Sequence, residues 1–208
     1  MPDRRYRPIS PELLARELTE RIVDAPITRV AIDGAGDAPG ELADTVAESL
    51  RLHGRETLRV STKDFLRAAS LRFERGKRDP DARYDDWLDV GGLRREVLDP
   101  LGPGGSGLAL PALWDAERDR ATRRDRVRLP PGAVVLVDGE LLLGHGLPFD
   151  FTVHLWLSPG ALTRRLPEDE HWALPAFQRY DSEVAPAEFA DVVVRMDDPR
   201  HPALIERP

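Results

Sequence analysis

A glycine-rich turn, Gly34-Ala35-Gly36-Asp37-Ala38-Pro39-Gly40, separates an apolar run at 28–33 (TRVAID) from a helical pattern that begins at Glu41. Glycines between a strand and a helix let backbone amides and the helix N-terminus close around a phosphate. The loop that does this in nucleotide-binding proteins reads G-x-x-x-x-G-K-[ST]. Its lysine reaches the β- and γ-phosphates and its hydroxyl binds magnesium. Here the second glycine falls one place late when counted from Gly34. Counted back from Leu42, Pro39 takes the lysine position and Gly40 the hydroxyl position. Neither count yields Lys, Ser or Thr. Pro39 also withholds an amide. Asp37 and Glu41 bring negative charge to where a phosphate would lie, although Glu41 suits a helix start. Two readings stand: a weakened phosphate cradle with Gly34, Gly36 and Gly40 as its contacts, or a turn that packs strand on helix and binds nothing.

Other reactive side chains form no recognisable constellation. His53, His145, His154, His171 and His201 lack metal-ligand spacing. His154 alternates with Val153 and Leu155 in an apolar run, which reads as a structural position. Ser61 has no G-x-S-x-G setting, so a hydrolase elbow is unsupported. Cysteine is absent, which excludes disulfides and thiolate chemistry.

The elements that would position these residues follow from periodicity. Residues 10–24 (SPELLARELTERIVD) predict a helix, with Ser10 as cap, Pro11 in the first turn, and Leu13, Leu14, Leu18, Ile22 and Val23 on its apolar stripe. The strand at 28–33, the helix ELADTVAESLRLHG stopped by Gly54, and a strand at 56–61 (ETLRVS) make a βαβ unit with parallel strands. The polar, Arg-rich stretch 62–130 reads as excursions over the carboxyl end of a sheet, with GPGGSG at 102–107 as a surface loop. Further strands are predicted at 133–138 (AVVLVD), 151–157 (FTVHLWL) and 191–196 (DVVVRM), with helix from SPGALTRRL and part of ALPAFQRYDSEV between the last two. Alternating strands and helices give an α/β doubly wound sheet, whose ligands sit beyond the carboxyl ends of the strands.

The 208 residues suit one domain over 1–208, with an N-terminal helix within 1–25. A net charge of −7 argues against a nucleic-acid partner, because no basic face is in prospect. No apolar run approaches the roughly 20 residues of a membrane span, and the N-terminus lacks the apolar core of a signal peptide. A cytoplasmic protein without a membrane partner is the natural expectation, with the oligomeric state left open.

From the second strand onward the chain resembles the uridine kinase family. The segments that carry this are VSTKDFL (60–66), RDPDARYDDWLD (78–89), LRREVLDPLGPGG (93–105), VVLVDGELLL (134–143) and ADVVVRMDDPRHP (190–202), in family order across roughly 26–202. The resemblance implies a three-layer P-loop NTPase fold of the nucleoside kinase type, with a mainly parallel five-stranded sheet. It implies transfer of the γ-phosphoryl group of ATP, with magnesium, to a nucleoside or similar small hydroxylated acceptor.

Carried over residue by residue, the family's catalytic carboxylate falls at Lys63, and the neighbouring Asp64 becomes the candidate base for the acceptor hydroxyl. Asp138 matches the acidic residue that holds magnesium through water. On the substrate side Asp86 matches the family's substrate-loop Asp, Asp115 follows Trp114 as an Asp follows an aromatic in the family, and Tyr84, Trp87 and Trp114 are candidates for a wall on which a base stacks. The family's Arg-rich lid is reduced here to 164–185, where Arg164, Arg165 and Arg179 remain as phosphate contacts around an acidic, proline-broken LPEDEHWALP. Losing the loop lysine and hydroxyl impairs such an enzyme. A pseudokinase that binds a nucleotide, nucleoside or protein without chemistry is therefore the alternative. A third reading puts Arg124, Arg126 and Arg128 in place of the lost lysine.

Overall fold

Seven strands form the central sheet of the protein, whose computed structural model describes residues 5–22 and 25–206. β1 (Arg5–Pro8) leads into α1 (Pro11–Arg21), β2 (Ile27–Gly34), α2 (Ala38–Leu52) and β3 (Thr57–Ser61). A 3₁₀ turn (Thr62–Phe65) opens the long excursion. This carries α3 (Ala69–Arg72), α4 (Pro80–Asp85), α5 (Val90–Leu93) and a π-helical turn (Arg94–Leu98). Four short strands follow: β4 (Leu108–Ala109), β5 (Trp114–Asp115), β6 (Arg120–Ala121) and β7 (Val127–Arg128), with β4 paired to β7 and β5 to β6. The sheet resumes with β8 (Ala133–Gly139) and β9 (Phe151–Trp156). After α6 (Pro159–Arg165), a 3₁₀ segment (Glu168–Ala173), α7 (Leu174–Glu183) and α8 (Pro186–Phe189), the chain closes with β10 (Val192–Arg195) and β11 (Ala203–Glu206).

The strand order is β1-β11-β10-β9-β2-β8-β3. The five strands read from apolar runs, β3, β8, β2, β9 and β10, are all parallel. β8 inserts between the two strands of the βαβ unit. β11 and β1 extend the edge in antiparallel pairing; their sequences, ALIE and RYRP, carry no alternation long enough to announce a strand. The result is a three-layer α/β fold with a mainly parallel sheet. One face buries Val30, Ile32, Val134 and Leu136 against α1 and α2. The other buries Ala31, Val135 and Val137 against the excursion and the α6–α8 region.

Ser10 caps α1 as expected, accepting from the Leu13 amide at 3.2 Å. Leu14, Leu18 and Ile22 are buried, but Leu13 is 39% exposed and leaves the predicted stripe. Val23 and Asp24, the end of the predicted helix, lie outside the described residues. α2 starts three residues earlier than the sequence pattern suggested, because Pro39 fits a first helical turn. Among the described residues no helix is long and apolar enough to cross a membrane.

Strand alternation sends functional side chains to two different faces. On β2, Ile32 faces α2 and Asp33 faces α7. On β8, Asp138 shares the α2 face with Leu136, and its register neighbour on β3 is Ser61. Arg59, two residues back along β3, therefore lies diagonally beside Asp138. Asp33 and His154 are direct register partners on β2 and β9, which puts both on the α7 face.

Candidate functional site

The glycine turn lies at the carboxyl ends of β2 and β8, where a ligand would enter such a sheet. Gly34 is required by close packing: a Cβ there would stand 2.8 Å from Leu155 Cβ. Gly36 has φ 72°, a conformation that favours glycine. Its amide donates to Glu140 Oε1 at 2.6 Å, and the other Glu140 oxygen pairs with Arg83. Both side chains are mostly buried. The Arg83 guanidinium in turn lies over the Trp87 ring, 4.6 Å from its centroid. A carboxylate from the chain itself thus accepts from the phosphate turn.

A second internal pairing fills the other half of the turn. Asp138, 4% exposed, receives Arg59 Nε at 2.7 Å on Oδ1 and Arg59 Nη2 at 3.3 Å on Oδ2. Arg59 also donates to Asp44 of α2 at 2.6 Å. The guanidinium passes over Gly40 so closely that a Cβ at that position would collide with it. The same Cβ would lie 3.4 Å from Asp138 Oδ2, where a loop hydroxyl and a metal-binding carboxylate would meet. A magnesium ion at Asp138 needs carboxylate oxygen, or water held by it, together with that hydroxyl. Both oxygens are committed to a guanidinium and the hydroxyl is missing. The residues present do not fit the ion. Among the described residues no group of three or more His, Cys, Asp or Glu is placed to hold a metal.

Lys63 extends the cluster. Its Nζ donates to Asp37 at 2.7 Å. That hydrogen bond raises the Lys63 pKa against desolvation, and the charges of Glu140 and Asp138 add to it. Asp37 is consequently drawn off, and α2 begins without a side-chain cap.

Asp64 stands apart. Its carboxylate has no hydrogen bond or ion pair among the described residues, although its backbone carbonyl accepts from Leu113. Partial burial pushes its pKa up, opposed by Arg124 and assisted by Asp138. Such a carboxyl binds its proton more tightly in the folded chain than in the unfolded one. Its charged form therefore costs stability at neutral pH, and the cost fades as pH falls through the folded value toward the unfolded one, about 3.9. Asp64→Asn should raise the melting temperature slightly at neutral pH, with the gain gone below about pH 4. Thermal melts across that range check this, and a loss of stability at neutral pH would reveal a stabilising role for the carboxylate.

The remaining expected contacts are held within the chain. Arg179 binds Asp81, Asp85 and Glu183 and stacks on Tyr84, whose hydroxyl reaches Glu183. Arg165 donates to the Met196 carbonyl, and Arg164 is exposed on α6. Asp86 pairs with Arg67 and Arg75. Trp87 meets Phe73 and Trp172 edge-on or tilted, so Arg83 and these rings take the surface on which a base was expected to stack. Its Nε1 is buried without a partner among the described residues. Trp114 donates to Asp119, and Asp115 holds Arg118 in the β5–β6 ribbon. Of the candidates, Gly36, Gly40 and Asp138 come together, while Arg59, Arg83 and Glu140 are members that the sequence reading missed. Glu140 had a signal, because it follows Asp138-Gly139 directly. Arg59 had a weaker one, because it lies on the same strand face as Ser61.

Comparison with solved structures places the fold. A possible uridine kinase from Bacillus stearothermophilus superposes with a TM-score of 0.70 at 20% identity, covering 88% of this chain and 96% of that one. A putative fructose transport system kinase from Silicibacter sp. TM1040 gives 0.58 at 22% identity, covering 88% and 90%. The chain is similar to both in its P-loop kinase fold. No protein-family model matches the sequence, and no curated protein matches it.

Proposed function

We propose that this kinase-fold chain is a binding protein that has lost magnesium-dependent ATP chemistry because its own side chains fill the phosphate turn. The Glu140 carboxylate on the Gly36 amide carries this reading. It accepts where a phosphate oxygen would accept. A triphosphate would have to displace Glu140 and part it from Arg83. It would also enter a cluster in which Arg59, Lys63 and Arg83 already face Asp37, Asp44, Asp138 and Glu140. Its charge adds to the side in excess. The ligand in this reading is a small hydroxylated, nucleoside-like molecule on the excursion side, where Asp64 offers an uncommitted acceptor. A cytoplasmic location fits a chain without cysteine.

Calorimetry with ATP and GTP, with and without magnesium, tests it. The expected dissociation constants are about 1 mM or weaker and indifferent to magnesium. Magnesium-dependent binding about a hundredfold tighter would overturn the reading. A second reading, phosphoryl transfer to a nucleoside or similar hydroxyl, is favoured by Asp64 itself: a partly desolvated carboxylate that feels the Asp138 charge suits a general base. Label transfer from ATP to a nucleoside panel that disappears in Asp64→Asn would select that reading.

A further inference from the structure

On the α7 face, away from Arg59 and Asp138, a cavity of ≈ 120 Å³ opens beside Gly34 and Ala35. Leu141, Leu155, Leu162, Leu174 and Phe177 contribute apolar walls. Its polar floor is built from Asp33, His154 and Tyr180, all at least nine-tenths buried. Asp33 Oδ1 accepts from the Leu142 amide at 2.9 Å. Oδ2 accepts from the Tyr180 hydroxyl at 2.9 Å and faces His154 Nδ1 at 2.6 Å. Tyr180 also accepts from the Leu143 amide at 2.9 Å. Leu141 adopts φ 53°, in the left-handed region, and the two amides that follow it are the ones tied to Asp33 and Tyr180. A non-glycine residue in that conformation is strained and persists only where its surroundings hold it. The floor is therefore a built arrangement.

The carboxylate fixes the proton of His154 on Nδ1, because Asp33 is an acceptor in all three contacts. In the neutral imidazole Nε2 then carries the lone pair; it has no partner among the described residues and belongs to a side chain that lines the cavity. The lining includes the carboxylates Asp33 and Asp181 but no Lys or Arg, so an anion finds no counter-charge. We propose that this cavity binds an uncharged, ring-sized alcohol or phenol whose hydroxyl donates to His154 Nε2. The volume supports the size: an apolar cavity of about 150 Å³ accommodates benzene. The cavity borders the phosphate turn at Gly34 and Ala35 but includes none of Arg59, Asp138 and Glu140, and the proposal does not rest on the function proposed above.

Nitrogen-detected NMR of the histidine rings, with phenol, benzene and benzoate as probes, tests the proposal on the full chain. Phenol is expected to saturate and shift the His154 Nε2 resonance. Benzene should bind about tenfold more weakly for want of the hydrogen bond. Benzoate should bind no better than benzene. His154→Phe should erase the preference for phenol over benzene. Leu174→Trp, at the half-buried wall, should block both while leaving Asp33 and His154 in contact. Absence of saturable phenol binding, a preference that survives His154→Phe, or benzoate binding as tightly as phenol would each overturn it.

Discussion

Asp33→Ala is expected to destabilise the fold by about 3–5 kcal/mol, the range for leaving buried charge-assisted donors without their acceptor. Asp33 is fully buried and accepts from the Leu142 amide and the Tyr180 hydroxyl while facing His154 Nδ1. Removing it strands these donors together, and their costs are not additive because they share one acceptor. Burial and the Asp33 charge hold the Tyr180 pKa far up, so the hydroxyl remains a donor and cannot relieve the loss by ionising. Leu141 would also lose one of the two amide anchors that follow its left-handed turn. Asp33→Asn keeps one acceptor oxygen and should cost less, about 2 kcal/mol. Urea unfolding of the two variants measures both. A loss below about 1 kcal/mol for the alanine variant would mean that the three-way contact is not a stabilising unit.

The difference between what the sequence disclosed and what it withheld follows from the range of the signals. AVVLVD and FTVHLWL announce buried strands because burial on both faces is written in consecutive residues. The glycine turn is legible for the same reason: strand, glycines and helix are contiguous. The pairings that decide the chemistry are not. Arg59 reaches Asp138 only because β8 inserts between β2 and β3, and the strand order is a tertiary fact. Glu140 reaches Gly36 by the same adjacency of β2 and β8. His154 shows the limit most clearly. Alternation in β9 placed it opposite Val153 and Leu155, which suggested a structural residue. It could not tell that Asp33 is its register partner or that the face it joins contains a cavity. The aromatics of the excursion show a further limit: rings suited to stack on a base are equally suited to stack on Arg83 and Arg179, and these lie within the chain.

Reopening the phosphate turn requires the internal pairings to be released as well as the loop residues restored. Replacing Ala38–Glu41 by Gly-Lys-Ser-Thr supplies the missing lysine and hydroxyl, yet this change alone should not produce ATP binding. The side chain introduced by Gly40→Ser meets the Arg59 guanidinium, and Asp138 remains saturated by Arg59. Gly36 remains bonded to Glu140. Adding Arg59→Ala and Glu140→Gln removes both obstacles. The first frees the Asp138 carboxylate beside the restored hydroxyl, and the second weakens the internal competitor for the amide. The new lysine also supplies part of the positive charge that Arg59 no longer gives Asp138, which limits the cost of breaking a buried ion pair. Two regained charge-assisted contacts, each worth about 1.5–3 kcal/mol, correspond to a gain in ATP affinity of about a hundredfold or more. The gain should require magnesium. Calorimetry on the grafted chain with and without the two additional substitutions separates the cases. Equal ATP binding by both would show that Arg59 and Glu140 do not block the turn. Magnesium-dependent binding confined to the fully altered chain would identify these two side chains as its occupants.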